Sequence, residues 1–250
     1  MTSTSVQLRA HLPIATTRLL VTVRDPQTRA YRPVGFLSQV EDGYQFSYLR
    51  RELERGAFRP LPGLARAADG CVSSPKLFPL FSERVISARR PDRHVSLDAL
   101  GLPLDAAPME VLARSHGQRV GDTIELLPAP DAGPGEVVAF TFLTHGVRYL
   151  DAVEQGRLAS LSRDESLHLR PEPTNEVNPR AQLVTDGDDA RLGWLPDPLI
   201  QVLDDIEDQR LSVEQANGPE VGFHFRLLVR LEGRVQRERG LFAGPDWETI

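Results

Sequence analysis

Thr144-His-Gly-Val-Arg-Tyr149, with Pro173-Thr-Asn-Glu-Val-Asn-Pro-Arg-Ala-Gln-Leu-Val184 and Leu192-Gly-Trp-Leu-Pro196 further along, are the stretches whose reading decides the fold. Each sets a glycine or proline turn beside an apolar run, the pattern of short strands that reverse direction. Upstream, Val137 to Leu143 is almost continuously apolar and reads as a strand. Tyr149 to Ala159 fits a helix or a turn plus helix, and Ser166 to Arg170 alternates as a strand does. Ala181 to Thr185 and Ala190 to Trp194 are further strands, joined by a hairpin-type turn at Asp186-Gly-Asp-Asp189. Pro196 to Ile206 is amphipathic, with Leu199, Ile200, Val202, Leu203 and Ile206 on one face. Short strands around one small helix suit an OB-like or SH3-like β-barrel.

The same stretches resemble the HIRAN domain, a small β-barrel module that captures nucleic acid, notably single-stranded DNA ends. In that family an Arg-Tyr follows a glycine after the first strand, as in Gly146-Val-Arg-Tyr149. A turn of the type Asn-Pro-x-Asp-x-x-Ala leads into the middle strand, and a glycine-hydrophobic-Leu/Pro turn leads into a helix. The resemblance covers residues 137–208 and implies a reader of single strands or DNA 3′ ends, in DNA repair or defence against foreign DNA. It carries Arg148, Tyr149, Asn175, Asn178 and Trp194 over as nucleic-acid-binding residues. An Arg pairs with phosphate in bidentate fashion, and an aromatic face stacks on a base. Asn178 departs from the usual Asp, and Val177 stands where the family can carry a stacking Tyr. Read without the resemblance, Arg148 is a solvated cation beside a half-buried Tyr149. Asn175 and Asn178 then satisfy turn backbone groups, and Trp194 plugs the barrel.

In the first half, Arg18 to Arg24, Tyr31 to Gln39 and Tyr44 to Tyr48 form a three-stranded meander, with Asp42-Gly43 as a hairpin turn. Ser96-Leu-Asp-Ala-Leu-Gly101 reads as a short helix capped by Ser96, and residues 105–115 as another with a proline in its first turn. Gly121 to Pro128 reads as a strand with a polar start. Residues 1–101, through Gly35-Phe-Leu37, Tyr44-Gln-Phe-Ser-Tyr48 and Phe78-Pro-Leu-Phe81, resemble the N-terminal subdomain of HipA-type kinases. That resemblance implies a docking module for a protein partner. The kinase body is absent: no glycine-rich phosphate loop, catalytic His-Arg-Asp or Asp-Phe-Gly occurs.

The expected organisation is an α+β chain, mostly β. A docking module spans 1–128, a proline- and glycine-rich linker 129–136, and a HIRAN-like barrel with a C-terminal strand extension 137–250. The net charge of −6 argues against binding nucleic acid through the bulk field but permits a local basic groove. Lys76 is the sole lysine, and Arg89, Arg90 and Arg93 form the densest basic cluster of the first half. One cysteine, Cys71, excludes an intrachain disulfide and a cysteine-based zinc site. The opening Met1-Thr-Ser-Thr-Ser5 lacks the charged and apolar regions of a signal peptide, and no apolar run is long enough to span a membrane. A cytoplasmic, non-catalytic protein without cofactor or metal is the expectation. His145 and His168 have no second ligand at local spacing, and Asp186, Asp188 and Asp189 lack a calcium loop. Asp204, Asp205, Glu207 and Asp208 read as a solvated helix end, and alternation over 221–235 groups Arg226, Arg230 and Arg234. Two alternatives stand beside this reading. One is an accessory of a toxin–antitoxin system of the HipA type. The other is a small metal-dependent hydrolase, which requires Asp151, His145 and His168 in one pocket.

Overall fold

The computed structural model describes residues 16–56, 58–119, 121 and 123–250; the opening segment read for an export signal lies outside them. The described chain is mostly β and carries two antiparallel sheets. Among the described residues no helix is long and apolar enough to cross a membrane.

The first sheet contains the expected meander, β1 (Arg18–Arg24), β2 (Tyr31–Val40) and β3 (Gly43–Tyr48). After α1 (Arg50–Leu53), β4 (Val72–Ser74) adds to β3. Helices α2 (Pro79–Ser82), α3 (Arg93–Asp98) and α4 (Pro108–Ser115) precede β5 (Ile124–Pro128), which pairs with β1. The strand order is β4-β3-β2-β1-β5, so β1 lies between β2 and β5. Successive side chains of a strand point to opposite faces. Leu19 and Val21 therefore enter a core with Phe46, Tyr48, Phe81 and Leu112, whereas Leu20 joins Phe36 and Leu127 in the core of the second sheet. Burial on both faces explains why β1 reads as an almost unbroken apolar run.

The second sheet comprises β6 (Val137–Leu143), β7 (Ser166–Pro171), β8 (Gln182–Thr185), β9 (Arg191–Trp194), β10 (Ile206–Ala216) and β11 (Leu227–Val235). Helix α5 (Ala152–Ser160) follows β6, and α6 (Asp197–Leu203) follows β9. The order β6-β11-β10-β7-β8-β9 curls until its two ends meet: past the end of β6, His145 exchanges both backbone hydrogen bonds with Trp194, at 2.8 and 3.0 Å. The curled sheet encloses Phe142, Leu192, Leu199 and Val202.

Several expectations are corrected. Residues 204–208 do not extend the helix, because α6 ends at Leu203 and Ile206 opens an 11-residue strand. Only Ile206, Leu211 and Val213 of its apolar residues are fully buried, and a register shift between Glu207 and Arg210 breaks the alternation. The strand signal is thereby masked by charge. Ser96 lies inside α3, with its hydroxyl donating to the Asp92 carbonyl, and does not cap it. Arg226, Arg230 and Arg234 form no basic stripe: Arg226 and Arg230 are buried, bonded to the Asn217 carbonyl and to Glu232. Residues 129–136 connect the sheets without standing clear of them, since Ala129 and Ala132 are buried in the second core. The C-terminal segment returns to the first sheet, where Thr249 bridges Leu49, and Phe242 and Trp247 pack on Phe36.

Closure of the curled sheet needs two glycines. Gly146 has φ 72°, and a Cβ there would lie 2.4 Å from the Trp194 ring. Gly193 has φ 126°, and a Cβ there would lie 2.8 Å from the His145 carbonyl oxygen. Both the backbone conformation and the space exclude larger residues. Gly193→Ala is expected to lower stability by about 2 kcal/mol in urea titrations. Gly187→Ala, in open space with an ordinary φ, is expected to stay within about 0.5 kcal/mol of the parent chain.

Candidate functional site

A groove of about 380 Å³ opens where the curled sheet closes. Its wall contains Arg148, Tyr149, Asn175, Asn178 and Trp194, all five residues singled out from sequence. Residues from the first sheet, Arg24, Arg29 and Tyr31, line it as well.

Past the end of β6, Gly146 leads the chain into a tight 3-10 turn over Val147–Tyr149. Val147 is buried under this turn, which leaves Arg148 and Tyr149 outside. Tyr149 is 61% exposed. The Arg148 guanidinium lies 4.7 Å from the Tyr149 ring centre, and Nη2 donates to the phenol oxygen at 2.5 Å. That hydrogen bond, then the charges of Arg148 and Arg29, hold the phenol below its ordinary value. The residues after Gly146 thus form a cationic rim with one flat aromatic face.

Asn175 and Asn178 shape the turn before β8. The Asn175 oxygen accepts from the Val177 and Asn178 amides at 3.0 and 3.1 Å, and the Asn178 oxygen accepts from the Arg180 amide at 2.9 Å. Asn175 Nδ2 donates to Glu172, and Asn178 Nδ2 to Asp197. Most of the capacity of both side chains therefore serves the turn. Trp194 is half-buried, packs on the barrel core and donates Nε1–H to Glu172 at 2.7 Å. Val177, Tyr149 and Phe223 are three of the chain's exposed large hydrophobic side chains, and all three line this groove.

Beneath the groove lies a charged cluster that sequence spacing did not show. Glu125 on β5 is fully buried, and its Oε1 accepts from His116 Nδ1 at 2.8 Å, His145 Nε2 at 2.7 Å and Gln118 Nε2 at 3.3 Å. Oε2 is buried without a donor. Burial alone raises a carboxyl pKa, but the His145 charge and the two imidazole bonds outweigh it and hold Glu125 well below the carboxylate range. Burial also disfavours charge on both imidazoles. At His145 the Glu125 charge and bond overcome it and raise the pKa; at His116 burial wins and lowers it. The ligand atoms of His116, Glu125 and His145 lie within 4.8 Å of one another, which prompts a metal reading. Hydrogen bonding argues against it. The Leu143 amide donates to His116 Nε2 at 3.1 Å, so the proton of neutral His116 resides on Nδ1 and that nitrogen has no lone pair for a cation. The cluster is a hydrogen-bonded brace for His145.

The grouping required by a hydrolase does not form. Asp151 caps α5 from an exposed position, accepting from the Val153 and Glu154 amides, and His168 is exposed on β7. Of the three, only His145 lines the groove. Asp186 makes its turn with the Asp188 and Ala190 amides and also pairs with Arg157. The groove residues missed from sequence are Arg24, Arg29, Tyr31, Phe223, His224 and Asp197. Arg24 and Arg29 flank a hairpin turn that is legible in the sequence, but nothing local places that turn beside Arg148.

Ion pairing separates the groove arginines from many others in this acidic chain. Arg157 pairs with Asp186, Arg191 with Glu154, Arg114 with Glu214 and Arg239 with Asp205. Among the described residues, none of Arg24, Arg29 and Arg148 has a carboxylate in ion-pair contact, although all three line the groove.

No family model matches the chain, and no curated protein matches it. Two solved structures are similar to part of it. A protein from Lactobacillus plantarum shares 22% identity over 43% of this chain and 100% of its own, with a TM-score of 0.29. The HIRAN domain of human HLTF shares 16% identity over 43% of this chain and 82% of its own, with a TM-score of 0.29.

The brace gives a pH dependence. His145 is expected to titrate above the ordinary imidazole value of 6.5 in NMR, and Glu125→Gln to bring it below that value. The stability drawn from the His145 charge is complete below pH 6.5 and is lost as pH rises through the raised value. Glu125→Leu leaves the His116 and His145 donors unanswered and is expected to cost about 3 kcal/mol in chemical denaturation.

Proposed function

We propose that this protein binds single-stranded nucleic acid in the groove bounded by Arg148, Tyr149, Asn175, Asn178 and Trp194. One observation carries the reading. Arginines that have no carboxylate partner among the described residues converge with exposed aromatic side chains in one groove of a chain whose net charge is −6. Paired arginines are already neutralised, whereas unpaired ones offer phosphate a charge-assisted, bidentate contact. Tyr149 and Phe223 present faces on which bases stack, each contributing about 1–3 kcal/mol. The five residues that the HIRAN resemblance carries over all line this groove, which supports the reading. The negative overall charge remains compatible with binding, because screening limits distant carboxylates and leaves the local cations dominant.

End recognition follows from the acceptors at the Asn turn. The Asn175 oxygen already receives two donors, so it has little left for a ligand hydroxyl. Asp197, at the start of α6, lines the groove and holds Asn178 Nδ2 at 3.1 Å. Its carboxylate would accept a hydrogen bond from a terminal hydroxyl and repel a terminal phosphate.

Two outcomes test this reading. Arg148→Ala should weaken binding to a fluorescein-labelled oligothymidine and flatten the dependence of log affinity on log salt by about 0.7. Unchanged affinity and slope would remove Arg148 from the site. The parent chain should also show a modest preference for a 3′ hydroxyl over a 3′ phosphate on otherwise identical strands. Asp197→Asn should erase that preference; if both chains treat the two ends alike, the groove reads strands without reading ends.

A further inference from the structure

The inference rests on the strand-binding reading above and extends it to the other sheet. We infer that the β1–β2 turn of the first sheet is a working wall of the groove, in which Arg24 and Arg29 carry phosphates of the same single strand that Arg148 holds. The nucleic-acid site would then be composite, built by both sheets together, and the HIRAN-like half alone would supply only part of it.

Four observations support this. Arg24, Arg29 and Tyr31 line the same groove as Arg148 and Trp194. The turn is built to hold its shape: Asp25 Oδ1 accepts from the Gln27 and Thr28 amides at 2.9 and 2.8 Å, and the Arg29 amide donates to the Asp25 carbonyl at 2.9 Å. Arg24 Nε donates to the Arg29 carbonyl at 3.1 Å, which joins the two cationic residues across the turn. Arg29 holds φ 63°, a left-handed conformation that a non-glycine residue adopts at some cost.

Electrostatics adds a reason for a ligand. Arg29 and Arg148 both act on the Tyr149 hydroxyl, so two like charges gather around one exposed phenol. Among the described residues neither has a carboxylate in ion-pair contact. Two neighbouring cations repel, and an anion placed between them relieves that repulsion. A phosphodiester matches this demand: each phosphate carries one negative charge, and successive phosphates recur along a flexible strand. The exposed aromatic side chains of Tyr149 and Phe223 line the same groove as the cations and suit the bases of such a strand. The turn is also fixed relative to the rest of the groove. β1 pairs with β5, and Glu125 of β5 hydrogen-bonds His145, whose ring lies 5.6 Å from that of Tyr31.

The test uses the full chain and a fluorescein-labelled oligothymidine, with affinity measured over a range of salt. Arg29→Ala and Arg24→Ala should each reduce affinity about tenfold and flatten the salt slope by about 0.7, and the double variant by about 1.4. Arg29→Lys should keep most of the slope, and Arg29→Glu should weaken binding beyond Arg29→Ala. Thermal melting checks that each variant is folded. Arg89→Ala, which does not line the groove, should leave the slope unchanged; an equal drop there would overturn a local role. If Arg148→Ala weakens binding while Arg24→Ala and Arg29→Ala behave as the parent chain, the composite groove is wrong and the strand-binding reading stands. If the parent chain shows no salt-dependent binding, the reading and this extension both fall.

Discussion

A single buried acceptor, Oε1 of Glu125, ties the two sheets of this protein to one another. An ionised carboxylate enclosed by protein must be met by donors or by charge, because its loss of hydration costs several kcal/mol. Here the donors come from three places: His116 at the end of α4, Gln118 ahead of β5, and His145 just past β6. His145 is also the residue whose backbone closes the curled sheet onto Trp194. Closure of the barrel, the floor of the groove and the packing of the first sheet on the second therefore share one contact. A shift of β5 relative to β6 would part Glu125 from His145 and leave the buried carboxylate without that charged partner.

The same economy governs charge at the surface. Carboxylates outnumber arginines, and several arginines are consumed in ion pairs that hold helices and strands together, such as Arg157 with Asp186 and Arg191 with Glu154. The carboxylates of these pairs are largely buried, and each neutralises the arginine it holds. Arg24, Arg29 and Arg148, which have no carboxylate in ion-pair contact among the described residues, leave a local cationic surface at the groove of an acidic protein. The two glycines serve the same place. Gly146 lets the Trp194 ring lie against the chain, and Gly193 lets β9 approach Thr144 and His145. Between them they set Arg148 and Tyr149 outside and Val147 inside.

Much of this was legible in the sequence because it depends on neighbours along the chain. The meander of β1 to β3, the turn at Asp186, the helix at α6 and the strands from β6 to β9 follow from alternation, turn residues and apolar periodicity. Arg148, Tyr149, Asn175, Asn178 and Trp194 were marked by the resemblance to the HIRAN family, not by composition or spacing alone, and they meet in space because each turn follows or precedes a strand of one curled sheet. β10 was hidden, since a bulge near Asp208 and a run of acidic residues break its alternation. The buried Glu125 looked like any polar residue of a strand, because nothing in Asp122-Thr-Ile-Glu125 announces a partner twenty residues away.

The sequence by itself determined the local chemistry: which segments alternate, where glycines permit tight turns, which side chains can pair with phosphate or stack on a base. Only the tertiary structure decided which of these groups share a surface. Arg24 and Arg29 lie far from Arg148 along the chain, and the three converge because β5 pairs with β1 while its Glu125 grips His145. Local patterns report each residue's own neighbours, whereas the convergence of charges from two sheets depends on how those sheets bury a common face, and no short-range signal encodes that.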